Sequence, residues 1–208
     1  MKNMILINMN YQQGVKFTLF PDNQPHVNVY GVIEGDEVKV VCSITESLKL
    51  VQLMEVANAL DGLFAKKKVL VIPYLMGARS DRVMQDGDSV DLKVIADCIN
   101  MCGFEKVYLF DVHSDVSLML IKNSVNCSNA ELVLSYNQPN SILICPDAGA
   151  VKKVDKYFKL NSNLVDVVYC NKVRGLSNGN ITLKVLEPEK CKDRACVVID
   201  DFNKVASL

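Results

Sequence analysis

Histidine is scarce in this chain: His26 and His113 are the only two among 208 residues. Eight cysteines are present, yet none stands in a C-x-x-C pair. These absences argue against a zinc site, which needs about four closely spaced ligands of those types. Thiols in apolar stretches, such as Cys145 in Ile142-Leu143-Ile144-Cys145, read as reduced and buried. An excess of one charge is missing too. Lys and Arg number 23 and Asp and Glu 24, so the formal net charge is -1. No electrostatic footprint for nucleic acid or an anionic membrane is visible, and a strongly anionic ligand would need a local site. No apolar run reaches the roughly 18 residues of a membrane span. The apolar part of the N-terminus, Met4-Ile5-Leu6-Ile7, is too short for a secretory signal. Solenoid repeats and low-complexity segments are absent as well. The expectation is a cytoplasmic protein with neither a nucleic-acid nor a membrane partner.

What is present is an alternation of strand and helix signals. Val15 to Phe20 and Val27 to Val32 read as strands, and Gly35-Asp36 marks a turn before Val38 to Cys42. From Glu46 to about Phe64, the spacing of Leu50, Leu53, Met54, Ala57 and Leu60 predicts an amphipathic helix. Lys66-Lys67-Lys68 then reads as its solvated end, since cations suit that pole. Val69 to Ile72 is a fully apolar run of the kind buried in a parallel sheet. Asp88 is the expected cap of the next helix, which carries Val94, Ile95, Cys98, Ile99 and Cys102 and stops at Gly103. The alternation continues with strand Val107 to Phe110, helix Ser114 to Lys122, strand Ser141 to Cys145, helix Ala150 to Phe158 and strand Val165 to Cys170. A strand pair at Ile181 to Leu186 and Ala195 to Ile199 closes it. Such alternation predicts a doubly wound α/β fold. A composition break at Asn137-Gln138-Pro139-Asn140 divides it into domains 1–136 and 137–208.

In such sheets ligands bind beyond the carboxyl ends of the strands. After Ile72 comes a loop with Arg79, Ser80, Asp81 and Arg82, and arginine suits phosphate oxygens. After Phe110 comes Asp111-Val112-His113, where a histidine can meet a cation or a phosphate. After Cys145 comes Pro146-Asp147-Ala148-Gly149, an acidic residue at a helix start, suited either to a magnesium-phosphate site or to plain capping. After Cys170, Lys172 and Arg174 lie two apart and could offset charge on a transferring phosphoryl group. After Ile199, the paired carboxylates Asp200 and Asp201 could bind ribose hydroxyls or a metal. Each signal alone is weak, but their common theme is phosphate, ribose and magnesium.

The order of these segments resembles the ribose-phosphate pyrophosphokinase family. Ile72-Pro73-Tyr74 through Ala78-Arg79-Ser80-Asp81-Arg82 is similar to the family's I-P-Y-x-x-x-A-R-Q-D-R, and Asp111-Val112-His113 to its D-L-H. Cys145-Pro146-Asp147-Ala148-Gly149 resembles S-P-D-x-G, Lys172-Val173-Arg174 the catalytic arm, and Phe20-Pro21-Asp22-Asn23-Gln24 the F-S-D-G-E loop. The resemblance implies two phosphoribosyltransferase-like domains, the second incomplete here, and a homo-oligomer. It implies transfer of pyrophosphate from ATP to the 1-hydroxyl of ribose 5-phosphate, with Mg2+ as cofactor. By position it puts Arg79, Ser80 and His113 on ATP, joined by Asp22, Asn23 and Gln24 from a neighbouring subunit. His113 and Asp147 would hold magnesium, Lys172 would be catalytic with Arg174 beside it, and Arg174, Asp200 and Asp201 would face the sugar phosphate.

Departures from the pattern accompany it. Where the family continues I-I-D-T-x-G-T, this chain reads Phe202-Asn203-Lys204-Val205-Ala206-Ser207-Leu208. The lost glycine matters, because close backbone approach to a phosphate needs a residue without a β-carbon. Ser80 stands for glutamine, Gln24 for glutamate, and Gln12-Gln13-Gly14 occupies a place where a helix is expected. Two readings follow: a pyrophosphokinase of ribose 5-phosphate or a bulkier phosphorylated ribose, and a non-catalytic relative that binds nucleotide or associates with full-length enzyme.

Overall fold

The apolar runs of the first unit, Met1–Cys127, become strands because their β-branched side chains fill a pleated, buried surface. The computed structural model describes residues 4–129, 135–174 and 181–198, with the side chains of 172–174 and 181 excepted. In chain order the first unit holds β1 Ile5–Asn8, β2 Val15–Leu19, β3 Pro25–Val29, β4 Glu37–Val41, helix α1 Ser47–Gly62, β5 Lys67–Ile72, α2 Asp91–Met101, β6 Lys106–Phe110, α3 Val116–Leu120 and β7 Ser124–Cys127. A five-stranded sheet runs in the order β1-β4-β5-β6-β7, and every pairing in it is parallel. Strands β2 and β3 form a separate antiparallel hairpin that packs on α1.

From β4 to β7 each crossover steps the same way along the sheet. Right-handed crossovers therefore lay α1, α2 and α3 side by side on one face, and α1 packs on α2 as α2 does on α3. Alternate strand residues Ile7, Val38, Val40, Leu70, Ile72, Val107 and Leu109 form the core with Leu53, Val56 and Leu60 of α1 and Ile95 and Ile99 of α2. Strand β7 has no counterpart in the sequence reading. Its Ser-Val-Asn-Cys run is only four residues long, too short for its alternation to stand out, and pairing with β6 makes it a strand. The expected helix from Ser114 shrinks to five residues, because Ile121 is already extended and leads into β7.

Two further expectations need correction. The lysine run is no solvated helix end. Lys67 and Lys68 open β5, and Lys68 is buried. Its ammonium donates to Asp61 and, at 3.0 Å, to the Cys102 carbonyl, and it sits 5.8 Å from the Phe104 ring centroid. The Asp61 side chain keeps 63% of its exposure, so that ion pair is worth little. The hydrogen bond to the buried carbonyl is the stronger tie, about 1.5–3 kcal/mol for a charged donor. Nor does Asp88 cap α2. Its carboxylate accepts the amides of Met84 and Gln85, at 3.3 and 3.0 Å, and closes its own loop.

The second unit, Ser128–Leu208, holds β8 Ser141–Cys145, a 3-10 turn at Ala148–Ala150, α4 Val151–Leu160, β9 Leu164–Arg174, β10 Ile181–Val185, a 3-10 turn at Pro188–Cys191 and β11 Cys196–Val198. Leu143, Cys145, Val154, Tyr157, Leu164 and Val167 form its core. The Tyr136 carbonyl accepts from Asn161 and Asn163 of this unit. The sheet order is β10-β9-β8-β11, parallel between β8 and both β9 and β11, antiparallel between β9 and β10. The closing strands therefore do not pair with each other, as expected from sequence, but flank opposite edges. Strand β9 also runs four residues past Cys170, to Arg174, because β10 offers hydrogen-bond partners to that stretch. Among the described residues, no helix is long and apolar enough to cross a membrane.

Two predictions follow from this packing. Gly77 has φ 73°, and a Cβ there would lie 2.7 Å from Cδ1 of core residue Ile95. Backbone strain and overpacking together should make Gly77→Ala destabilising by about 2–4 kcal/mol, read as a lower urea midpoint with an unchanged slope. Burial pushes the Cys42 thiol up to about 12 and the Cys102 thiol to about 11. Since the thiolate is the nucleophile, iodoacetamide at about pH 8 should label exposed Cys196 while Cys42 and Cys102 stay unmodified by mass spectrometry until the chain is unfolded.

Candidate functional site

All carboxyl ends of a parallel sheet point one way, so the turns after β5 and β6 are neighbours. The first of these turns is pinned by backbone. Ile44, just past β4, donates to the Tyr74 carbonyl at 2.8 Å and accepts from the Met76 amide at 2.9 Å. Gly77 in its left-handed conformation then lets the chain turn against α2. Ser80 fastens the loop to the start of that helix. Its hydroxyl oxygen accepts the Asp91 amide at 3.3 Å and its carbonyl accepts the Leu92 amide at 3.2 Å. The residue expected on the nucleotide thus does the capping expected of Asp88.

Asp81, to which the sequence reading gave no role of its own, joins the loops at this end of the sheet. Its side chain is only 2% exposed. One oxygen accepts from Arg82 Nε at 2.8 Å; the other accepts from Arg82 Nη2 at 3.2 Å and from Ser114 Oγ at 2.8 Å. The Arg82 and Ser114 hydrogen bonds hold its carboxyl below the usual carboxylate range, with help from the nearby His113 imidazole. Arg79 and His113 are both exposed on the two loops that Asp81 joins. Asp22, Asn23 and Gln24 occupy the exposed turn between β2 and β3. There the Asp22 carboxylate accepts the Gln24 amide at 3.1 Å, and Asn23 takes φ 67°.

In the second unit, Asp147 follows β8 and caps the 3-10 turn, accepting the Gly149 amide at 3.0 Å. The bland capping role is therefore real, whatever else the carboxylate does. Lys172 and Arg174 end β9, where their backbones pair with Leu183 and Ile181. Strands β8 and β9 are parallel with Cys145 opposite Tyr169. Asp147, just past β8, and Lys172, near the end of β9, thus lie toward the same end of adjacent strands. Asp200 and Asp201 fall outside the described residues. Among the described residues, no three His, Cys, Asp or Glu side chains gather where they could share a metal ion.

Residues 5–103 match the family described as the N-terminal domain of ribose phosphate pyrophosphokinase. The chain belongs to the ribose-phosphate pyrophosphokinase family. It is 30% identical over 145 residues to the ribose-phosphate pyrophosphokinase of Thermococcus kodakarensis, an alignment covering 67% of this chain and 51% of that one. Against the Saccharolobus solfataricus ribose-phosphate pyrophosphokinase it is 25% identical over 200 residues, 90% of this chain and 66% of the other. The chain thus spans about half to two thirds of the length of these family members. Its fold matches the crystal structure of phosphoribosylpyrophosphate synthetase from Mycobacterium smegmatis with a TM-score of 0.77 at 17% identity, over 96% of this chain and 72% of that one. The matched residues 5–103 contain Arg79, Ser80 and Asp81.

The Asp81 shift has a sign that can be measured. A carboxyl lowered by folding contributes stability in full above its unfolded value near 4, and that contribution fades as pH falls through the folded value. Urea midpoints of wild type and Asp81→Asn, taken from about pH 7 to about pH 3, should converge toward the acid end. A gap of constant size would show that the ionised form confers no advantage.

Proposed function

We propose that the chain is a ribose-phosphate diphosphokinase, moving the pyrophosphoryl group of ATP to the 1-hydroxyl of ribose 5-phosphate or a related phosphorylated ribose. The products are phosphoribosyl pyrophosphate and AMP. One observation carries this reading. In each unit the residues that such a transfer would use follow or close adjacent parallel strands: the loops of Arg79 and His113 after β5 and β6 in the first, Asp147 after β8 and Lys172 near the end of β9 in the second. Family membership supplies the reaction class.

The chemistry asks little covalent help of the protein. The sugar hydroxyl oxygen bonds to the β-phosphorus, the bond from that phosphorus to the α,β-bridging oxygen breaks, and AMP leaves with the bond's electrons. The hydroxyl proton passes to solvent. Lys172 and Arg174 would offset negative charge as it shifts toward the leaving oxygen, and Arg79 would hold triphosphate oxygens. Magnesium fits this donor set in one way. It favours one or two carboxylates together with phosphate oxygens and water over an all-protein cage. In the second unit Asp147 would offer a hard oxygen, and in the first His113 would offer a softer donor. When bound, the ion would neutralise triphosphate charge. Asp22, Asn23 and Gln24, on an exposed hairpin turn, suit a contact with the nucleotide of a neighbouring copy in a homo-oligomer.

A second reading, a non-catalytic relative that keeps nucleotide binding, is favoured by Ser80. Its side chain is engaged with α2 and with the Ser89 carbonyl at 3.3 Å.

Purified chain incubated with ATP, magnesium and ribose 5-phosphate separates the two. Sugar-dependent AMP release is expected, whereas ATP binding without AMP would favour the relative. In active protein, Lys172→Ala should cut turnover about 100-fold or more, the cost of a few kcal/mol of barrier. Near-normal turnover would take Lys172 out of the mechanism.

A further inference from the structure

The Asp81 carboxylate poses a question that phosphate chemistry does not answer. A charge with 2% of its side chain exposed is costly unless paired. Here the pairing is complete enough to settle what Asp81 is not. Three donors within 2.8–3.2 Å already occupy its two oxygens, so a magnesium ion would have to displace Arg82 or Ser114 to reach it. Arg82 is committed in turn. Two N–H groups of its guanidinium fork grip Asp81, and at that separation the opposite charges largely cancel at a distance. Ser114, which belongs to the His113 loop and lies 33 residues along the chain from Asp81, donates to the same carboxylate and so ties that loop to the Arg79 loop.

We propose that Asp81 is a positioning residue that straps the Arg79 loop to the His113 loop through Ser114, with Arg82 as its counter-ion and not as a phosphate ligand. The two loops leave different strands, β5 and β6, and share no sequence-local tie. The strap therefore holds two ligand-bearing turns in one fixed relation. A site that must grip a triphosphate gains from this, because ordering is completed before the ligand arrives. The functional half of this inference rests on the nucleotide reading above; the strap itself does not.

Amide hydrogen exchange on the full chain, with no ligand added, tests the strap. Ser114→Ala removes one hydroxyl and leaves the Asp81–Arg82 pair in place, so the fold should survive. Exchange in residues 77–82 and 111–117 should speed up together, by about tenfold for the loss of one charge-assisted hydrogen bond. Ser114→Thr, which keeps the hydroxyl, should restore wild-type rates, and Asp81→Asn should match or exceed Ser114→Ala. Acceleration in one loop only, or in neither, overturns the proposal. Calorimetric titration with magnesium and ATP then tests the functional half. Ser114→Ala should weaken binding about tenfold with its thermal midpoint nearly unchanged, and Ser114→Thr should recover it. Wild-type binding that Ser114→Ala leaves intact overturns the positioning role. Wild type that binds no ATP refutes the nucleotide reading instead, and the exchange rates still decide the strap.

Discussion

Parallel pairing is the constraint on which this molecule turns. Strands that run the same way cannot be joined by a tight hairpin, so each connection must cross the sheet and return. Every carboxyl end in the first unit's sheet then faces one side. Turns that are tens of residues apart in sequence become neighbours there without any long-range recognition of their own. The loops of Arg79 and His113 follow β5 and β6, which pair from Val69 with Lys106 to Ile72 with Leu109. The second unit repeats the device between β8 and β9 and then departs from it. Strand β10 turns back antiparallel and extends β9 through Lys172 to Arg174. That pairing gives the basic arm a paired backbone in place of a free turn.

Polar groups at the two ends of the first sheet are treated alike. At the amino end, Lys68 is carried inside as the second residue of β5 and answers the Cys102 carbonyl at 3.0 Å. At the carboxyl end, Asp81 is carried inside by the loop and answers Arg82 and Ser114. Each buried charge sits where a strand begins or ends and the regular ladder no longer satisfies polar atoms. Each also fastens an element to a distant one: β5 to the end of α2 in one case, loop to loop in the other.

Much of this fold was legible because its signals are local. The run Val69 to Ile72, the 3.6-residue spacing of α1 and the stop at Gly103 each need only nearby residues to be read. The errors share a cause as well. Lys68 looks solvated until its partners, 7 and 34 positions away, are known. Strand β7 is too short to read from sequence and becomes a strand through β6. Ser80 takes the capping role expected of Asp88 because the cap of α2 comes from eleven residues upstream of Asp91. Arg79 and His113 in the first unit and Asp147 and Lys172 in the second were singled out by one rule, that ligands gather past strand ends. Asp81 could not, since its importance lies in Ser114. Its place between two arginines was the only hint.

The anchoring of α2 carries a consequence for how an anion is met at this loop. A helix beginning usually offers unclaimed amides to a passing oxyanion. Here the amides of Asp91 and Leu92 go to Ser80, and those of Lys93 and Val94 go to the Val90 carbonyl. That pole is stoppered from within the chain. An oxyanion arriving at this loop would therefore be met by side chains and not by unclaimed helix amides, an attraction that salt would dull.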